Sequence, residues 1–140
     1  MWWFYAILSA LFAALTAVFA KVGIKGVDSD LATAIRTVII LVMAWLIVFA
    51  KGSVNSIGTL TRSNLLFLCL SGIATGASWI FYFKALQVGK VAQVAPVDKL
   101  SVAFAIILSV IFLKEALSLK MAIGAGLIIA GALVLALGDS

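Results

Sequence analysis

The chain has 140 residues, of which 66% are hydrophobic and only 11% charged, where a soluble domain carries about a quarter charged residues. Its mean hydropathy is +1.31, and the apolar residues recur in long blocks near the ~20 residues a helix needs to cross a bilayer. The formal charge of +5 comes from single lysines and arginines at block ends. No basic run or basic–aromatic patch is present, so nucleic acid is not an expected partner. Cys69 is the one cysteine and there is no histidine, which excludes an internal disulfide and argues against a metal site. No cofactor is expected either.

The first apolar block predicts a helix over residues 3–20 that stops at Lys21. Nothing before Lys21 is charged, so a secretory signal is not expected. Trp2, Trp3 and Tyr5 look like an interfacial aromatic belt. Residues 22–30 form a connection containing Gly23 and Gly26, and Asp28, Ser29 and Asp30 are good N-cap types for a second helix over 31–50. Arg36 lies one to two turns inside that helix, within snorkelling reach of the interface.

Residues 51–64 are the longest polar stretch and read as a loop. A third helix is expected over 65–86, with Gly89 suited to its C-terminal end. The fourth span takes 91–113, with Pro96 favouring a kink, and the fifth takes 119–137. The expected fold is therefore an all-α membrane protein with five transmembrane helices in a single domain over 1–140. The alternating ten-residue segments of a membrane barrel are absent.

Polar residues within the spans are the candidate functional positions. On the third span Ser71, Thr75, Ser78 and Tyr82 recur at i, i+4, i+7 and i+11 and share one face. Such a face serves either interhelical hydrogen bonding or a cavity lining, with Trp79 and Tyr82 as the aromatic candidates. The fourth span carries Asp98 and Lys99. A charge at the centre of a membrane costs about 2.5–3.5 kcal/mol, so it usually faces protein or water and often marks a ligand or proton site. Adjacent helical residues point about 100° apart, so these two are not expected to pair with each other; the alternative is an ion pair with another helix or subunit. Lys84 reads as a snorkelling interfacial lysine. On the fifth span Gly124, Gly131 and Gly138 repeat at seven-residue spacing and suit packing or oligomerisation.

Five spans place the two ends of the chain on opposite sides of the membrane. Lys51, Arg62, Lys114 and Lys120 then lie on one side and Lys21, Lys25, Lys84 and Lys90 on the other, joined by Arg36 if it snorkels. That balance scarcely fixes an orientation. Insertion both ways up allows an antiparallel homodimer, a two-chain version of an inverted repeat; a parallel oligomer and a hetero-partner are the alternatives.

From Ala77 the chain runs W-I-F-Y-F-K-A-L at 79–86, V-A-Q-V-A-P-V-D-K-L-S at 91–101, I-F-L-K-E-A-L at 111–117 and G-A-G-L-I-I-A-G-A-L from Gly124. Together with Ala34-Ile35-Arg36, these stretches resemble one EamA-type domain of the drug/metabolite transporter superfamily. The resemblance implies half of a ten-helix inverted-repeat architecture in a bacterial or archaeal cytoplasmic membrane. It also implies transport, often outward, of small metabolites or drug-like molecules. One departure is Lys114 where the family usually has glycine, which puts a tight bend there in question. The site expected from all of this is a midplane cavity lined by Ser71, Thr75, Trp79, Tyr82, Asp98 and Lys99. A rival is a non-transporting membrane subunit that packs with a partner. An enzyme is not expected, because Asp98 is the sole deep carboxylate and no phosphate-binding loop is present.

Overall fold

The structure is a computed structural model that describes residues 1–138. It is all-helical among those residues, and five of its helical spans are long and apolar enough to cross a membrane. In chain order these are α1 (Trp2–Gly23), α2 (Ser29–Ala50), a 3₁₀ turn (Ser53–Thr59), α3 (Arg62–Val88), α4 (Val91–Asp98), α5 (Leu100–Phe112) and α6 (Leu119–Leu137). The fourth span is thus two helices in series. Almost none of any span is buried against the rest of the chain, so lipid or a partner must cover the apolar surface.

Local chemistry explains where the helices begin and end. Asp28 caps α2, its carboxylate accepting from the Asp30 and Leu31 N–H groups at 3.0 Å each, which satisfies two donors left over at a helix start. Gly26, with φ of +72°, makes the preceding turn. Thr61 caps α3 through an Asn64 N–H···Oγ1 bond of 3.1 Å. That helix starts at Arg62 rather than at Leu65, because polar residues in a first turn do not oppose backbone hydrogen bonding. Its 27 residues span about 40 Å, more than the ~30 Å hydrocarbon core, so its polar ends extend past the apolar layer. Likewise α1 continues through Lys21 to Gly23.

The polar stretch after α2 is partly ordered. Gly52 turns the chain with φ of +67°, and the 3₁₀ turn packs back on α2. Between them lies an apolar groove of about 300 Å³, lined by residues including Leu41, Trp45, Val48, Ser56, Ile57 and Leu60.

Two compact units make up the described residues. One, Val22–Gln87, holds α2, the 3₁₀ turn and α3. Its buried residues are Ile24, Ser29, Thr33, Phe83 and Leu86, all near the N-terminal end of α2 or the C-terminal end of α3. The other consists of Met1–Lys21 and the chain from Val88 onward. In it α4 and α5 both pack on α6, and its buried residues are Ala17, Ala103 and Ala132. Small side chains let helices approach closely where lipid supplies no hydrophobic drive for association. Within this unit the Lys21 ammonium donates to the Gly89 carbonyl at 2.7 Å.

The bend after α5 is present although glycine is absent. Lys114 itself adopts φ of +54°, a left-handed conformation that costs a side-chain-bearing residue roughly 1–2 kcal/mol. Glu115 N–H reaches back to the Ser109 carbonyl at 3.3 Å, so the turn closes the end of α5 and occupies one of its last carbonyls.

Candidate functional site: the α2–α3 clamp and the broken fourth span

In the α2–α3 unit, Ser29, Thr33 and Arg36 follow i, i+4, i+7 on α2, and Trp79, Phe83 and Leu86 follow the same spacing on α3. Each set lies along one helical face, and the two faces meet at Arg36. The Arg36 guanidinium carbon lies 4.3 Å from the centre of the Trp79 ring and 5.1 Å from that of Phe83, within cation–π range. The side chain does not snorkel out, because these rings offer its charge a partner inside the unit. Thr33 spends its hydroxyl on the Ser29 carbonyl one turn back, at 2.8 Å, and so needs no partner across the contact.

Two polar bonds close the end of the same contact. Lys84 Nζ lies 3.3 Å from Asp30 Oδ2, and Gln87 Nε2 donates to the Val27 carbonyl at 2.7 Å. Lys84 thus ties the last turns of α3 to the first turn of α2. Both partners of the ion pair are about half exposed, so its contribution is small and screened by salt.

The other sequence-derived candidates on α3 lie further along the helix. Ser71 and Thr75 are exposed, and the Thr75 hydroxyl bonds the Ser71 carbonyl within its own helix at 2.9 Å. Tyr82 is half-buried beside Phe83, their rings 6.4 Å apart and edge-on. Of the α3 candidates, Trp79 is therefore the one that meets α2. Arg36, which the sequence puts within snorkelling reach of the interface, lies instead against the Trp79 and Phe83 rings.

Asp98 and Lys99 belong to the other unit, where they mark the junction of α4 and α5. Contrary to expectation they do pair, with Lys99 Nζ 3.1 Å from Asp98 Oδ2. The turn at Lys99 does not bring the two Cα–Cβ bonds together, since a 3₁₀ turn separates adjacent residues by about 120°; the flexible four-carbon stem of the lysine reaches round to the neighbouring carboxylate. Lys99 N–H turns back to the Pro96 carbonyl at 3.0 Å, and Val102 N–H to the Lys99 carbonyl at 3.0 Å, a tight 3₁₀ pattern. Pro96 lacks an N–H and disturbs the turn before it, and the change to 3₁₀ bonding comes three residues later, at Lys99. Gly124 and Gly131 on α6 have open space where a Cβ would stand. At Gly138 a Cβ would lie 2.9 Å from the Val134 carbonyl oxygen of its own chain.

Residues 1–137 match the model of the EamA-like transporter family. The chain belongs to this family. A curated protein of Sinorhizobium sp., described as "Uncharacterized transporter in cobO 3'region", is 53% identical over 135 residues, which covers 96% of each chain. No solved structure matches the chain significantly. EamA membership and this relative support a transporter role, and with the five apolar spans they make the chain a multi-pass membrane protein.

Proposed function

We propose that this EamA-family chain is one protomer of a secondary transporter that exports small metabolites or drug-like molecules across the cytoplasmic membrane of a bacterium or archaeon. The observation that carries this is the broken fourth span. The backbone at Lys99 stays right-handed and its N–H bonds the Pro96 carbonyl, so the span tightens to a 3₁₀ turn, which in mid-helix often marks a functional hinge. Here the interruption coincides with a charged pair, Asp98 and Lys99. Discontinuous helices that bring backbone and charge to the midplane are how many secondary transporters build a binding site. Asp98 and Lys99, with Ser71, Thr75, Trp79 and Tyr82, are the residues proposed to meet the substrate.

The proposed assembly is an antiparallel homodimer. Its support is the near-equal distribution of lysine and arginine between the two sides, together with Gly124 and Gly131 of α6, where an added Cβ would meet nothing within 4 Å among the described residues. Open small-residue faces permit close helix approach by a second copy.

Reconstituted vesicles test the proposal. Flux of labelled amino acids and of cationic and anionic dyes is compared between the wild-type chain and Asp98→Asn. The expected outcome is wild-type flux of at least one solute class that falls at least tenfold in the variant, with an unchanged elution profile in detergent. Equal flux would remove Asp98 from the mechanism. A wild-type chain that moves no solute but co-purifies with another membrane protein would favour the packing-subunit alternative.

A further inference from the structure

We propose that Arg36 holds an organic oxyanion on the α2–α3 unit, with the half-buried Trp79 ring beside it accommodating the apolar body of the ligand. An arginine stays charged at any physiological pH, and within a span it calls for a counter-charge or water. Arg36 lies eight residues past the Asp28 cap, about 12 Å along the helix, and its guanidinium rests against ring faces. Ring faces attract the charge but accept no conventional hydrogen bond from the planar N–H fork. No hydrogen bond or ion pair formed among the described residues takes that fork.

Nor does the unit offer a spare acid. Between Val22 and Gln87 the only carboxylates are Asp28 and Asp30. Asp28 is occupied by the backbone of the first turn of α2, and Asp30 faces Lys84. What remains is a flat, charged, half-buried fork whose geometry matches a carboxylate or phosphate bidentately, set against aromatic surface. Thr33 and Phe83 are buried on the adjoining turns. The oxyanion comes either from a solute carboxylate or from a lipid phosphate. As a substrate site it rests on the transporter proposal; as a binding site it does not.

Arg36 and Arg62 are the only arginines, so ¹⁵N-arginine labelling of the full chain gives two side-chain Nε signals, assigned with an Arg62→Lys variant. In phosphatidylcholine nanodiscs, benzoate should shift the Arg36 signal saturably and leave Arg62 in place, while the uncharged isostere benzamide should do nothing. Arg36→Lys keeps the charge but loses the fork, and should weaken benzoate binding tenfold or more. If phosphatidylglycerol alone shifts the signal and benzoate cannot reverse it, the oxyanion is a lipid phosphate and the substrate role is overturned. No response to benzoate or to phosphatidylglycerol, or an equal response to benzamide, overturns the site itself. Benzoate that binds at Arg36 but is never moved across vesicles would leave the site standing and count against transport.

Discussion

At the end of the α2–α3 unit that carries Val27 and Gln87, both helices carry buried residues, and they share a cation over two rings, an ion pair and a side-chain-to-backbone bond. From Val38 to Ala50 on α2 and from Arg62 to Ser78 on α3 there is no residue buried within the chain. There the apolar groove beside α2 is closed by the 3₁₀ turn and not by α3. The difference teaches where this chain stores its internal stability. Leu86 is fully buried and Phe83 is 2% exposed, whereas Phe81, two residues away, is 72% exposed. Lipid tails are as apolar as leucine, so burying an apolar side chain against another helix gains packing rather than escape from water. A few side-chain links at one end can therefore tie a pair of helices and leave the rest of their surfaces for lipid, a partner chain or a solute.

The sharpest way to break this comparison is to hollow out the packed end. Leu86→Ala should lower stability in detergent unfolding by about 2–3 kcal/mol, toward the low side of the ~2–5 kcal/mol seen in aqueous cores, because the transfer part of that cost is absent in an apolar solvent. A middle-sized effect is expected from Asp28→Ala, which leaves two N-terminal donors of α2 without their cap and should cost about 1 kcal/mol, read as a lower unfolding midpoint. The smallest comes from the ion pair. A double-mutant cycle of Asp30→Asn with Lys84→Met should give a coupling below about 1 kcal/mol that fades as salt rises. A coupling that is large and insensitive to salt would mean that the clamp is electrostatic rather than packed.

Much of this was legible in the residues. The five spans were, because hydropathy over ~20 residues is a property of each helix by itself, and so was the Asp28 region as the start of α2. What required the fold was the register between helices. Ser29, Thr33 and Arg36 can be seen to share a face, as can Trp79, Phe83 and Leu86, but nothing in either pattern says that these two faces meet. Without that contact, snorkelling was the physical default for Arg36. The Asp98–Lys99 pair escapes for a different reason: the angle between neighbouring Cα–Cβ bonds does not limit a flexible lysine stem, whose ammonium reaches the adjacent carboxylate. The bend at Lys114 shows that a glycine signal is sufficient but not necessary. The end of α5 is closed by backbone bonding, and that contact can hold a lysine in a left-handed conformation.

The most direct test of the one-ended clamp is the pair Phe83→Ala and Phe81→Ala, measured by the same unfolding assay in the same detergent. Both variants remove the same atoms from the same helix, and only burial differs. The account predicts that Phe83→Ala loses about 2–3 kcal/mol while Phe81→Ala stays within about 0.5 kcal/mol of the parent. Equal losses, or a larger loss at Phe81, would contradict it and place the packed face of α3 elsewhere.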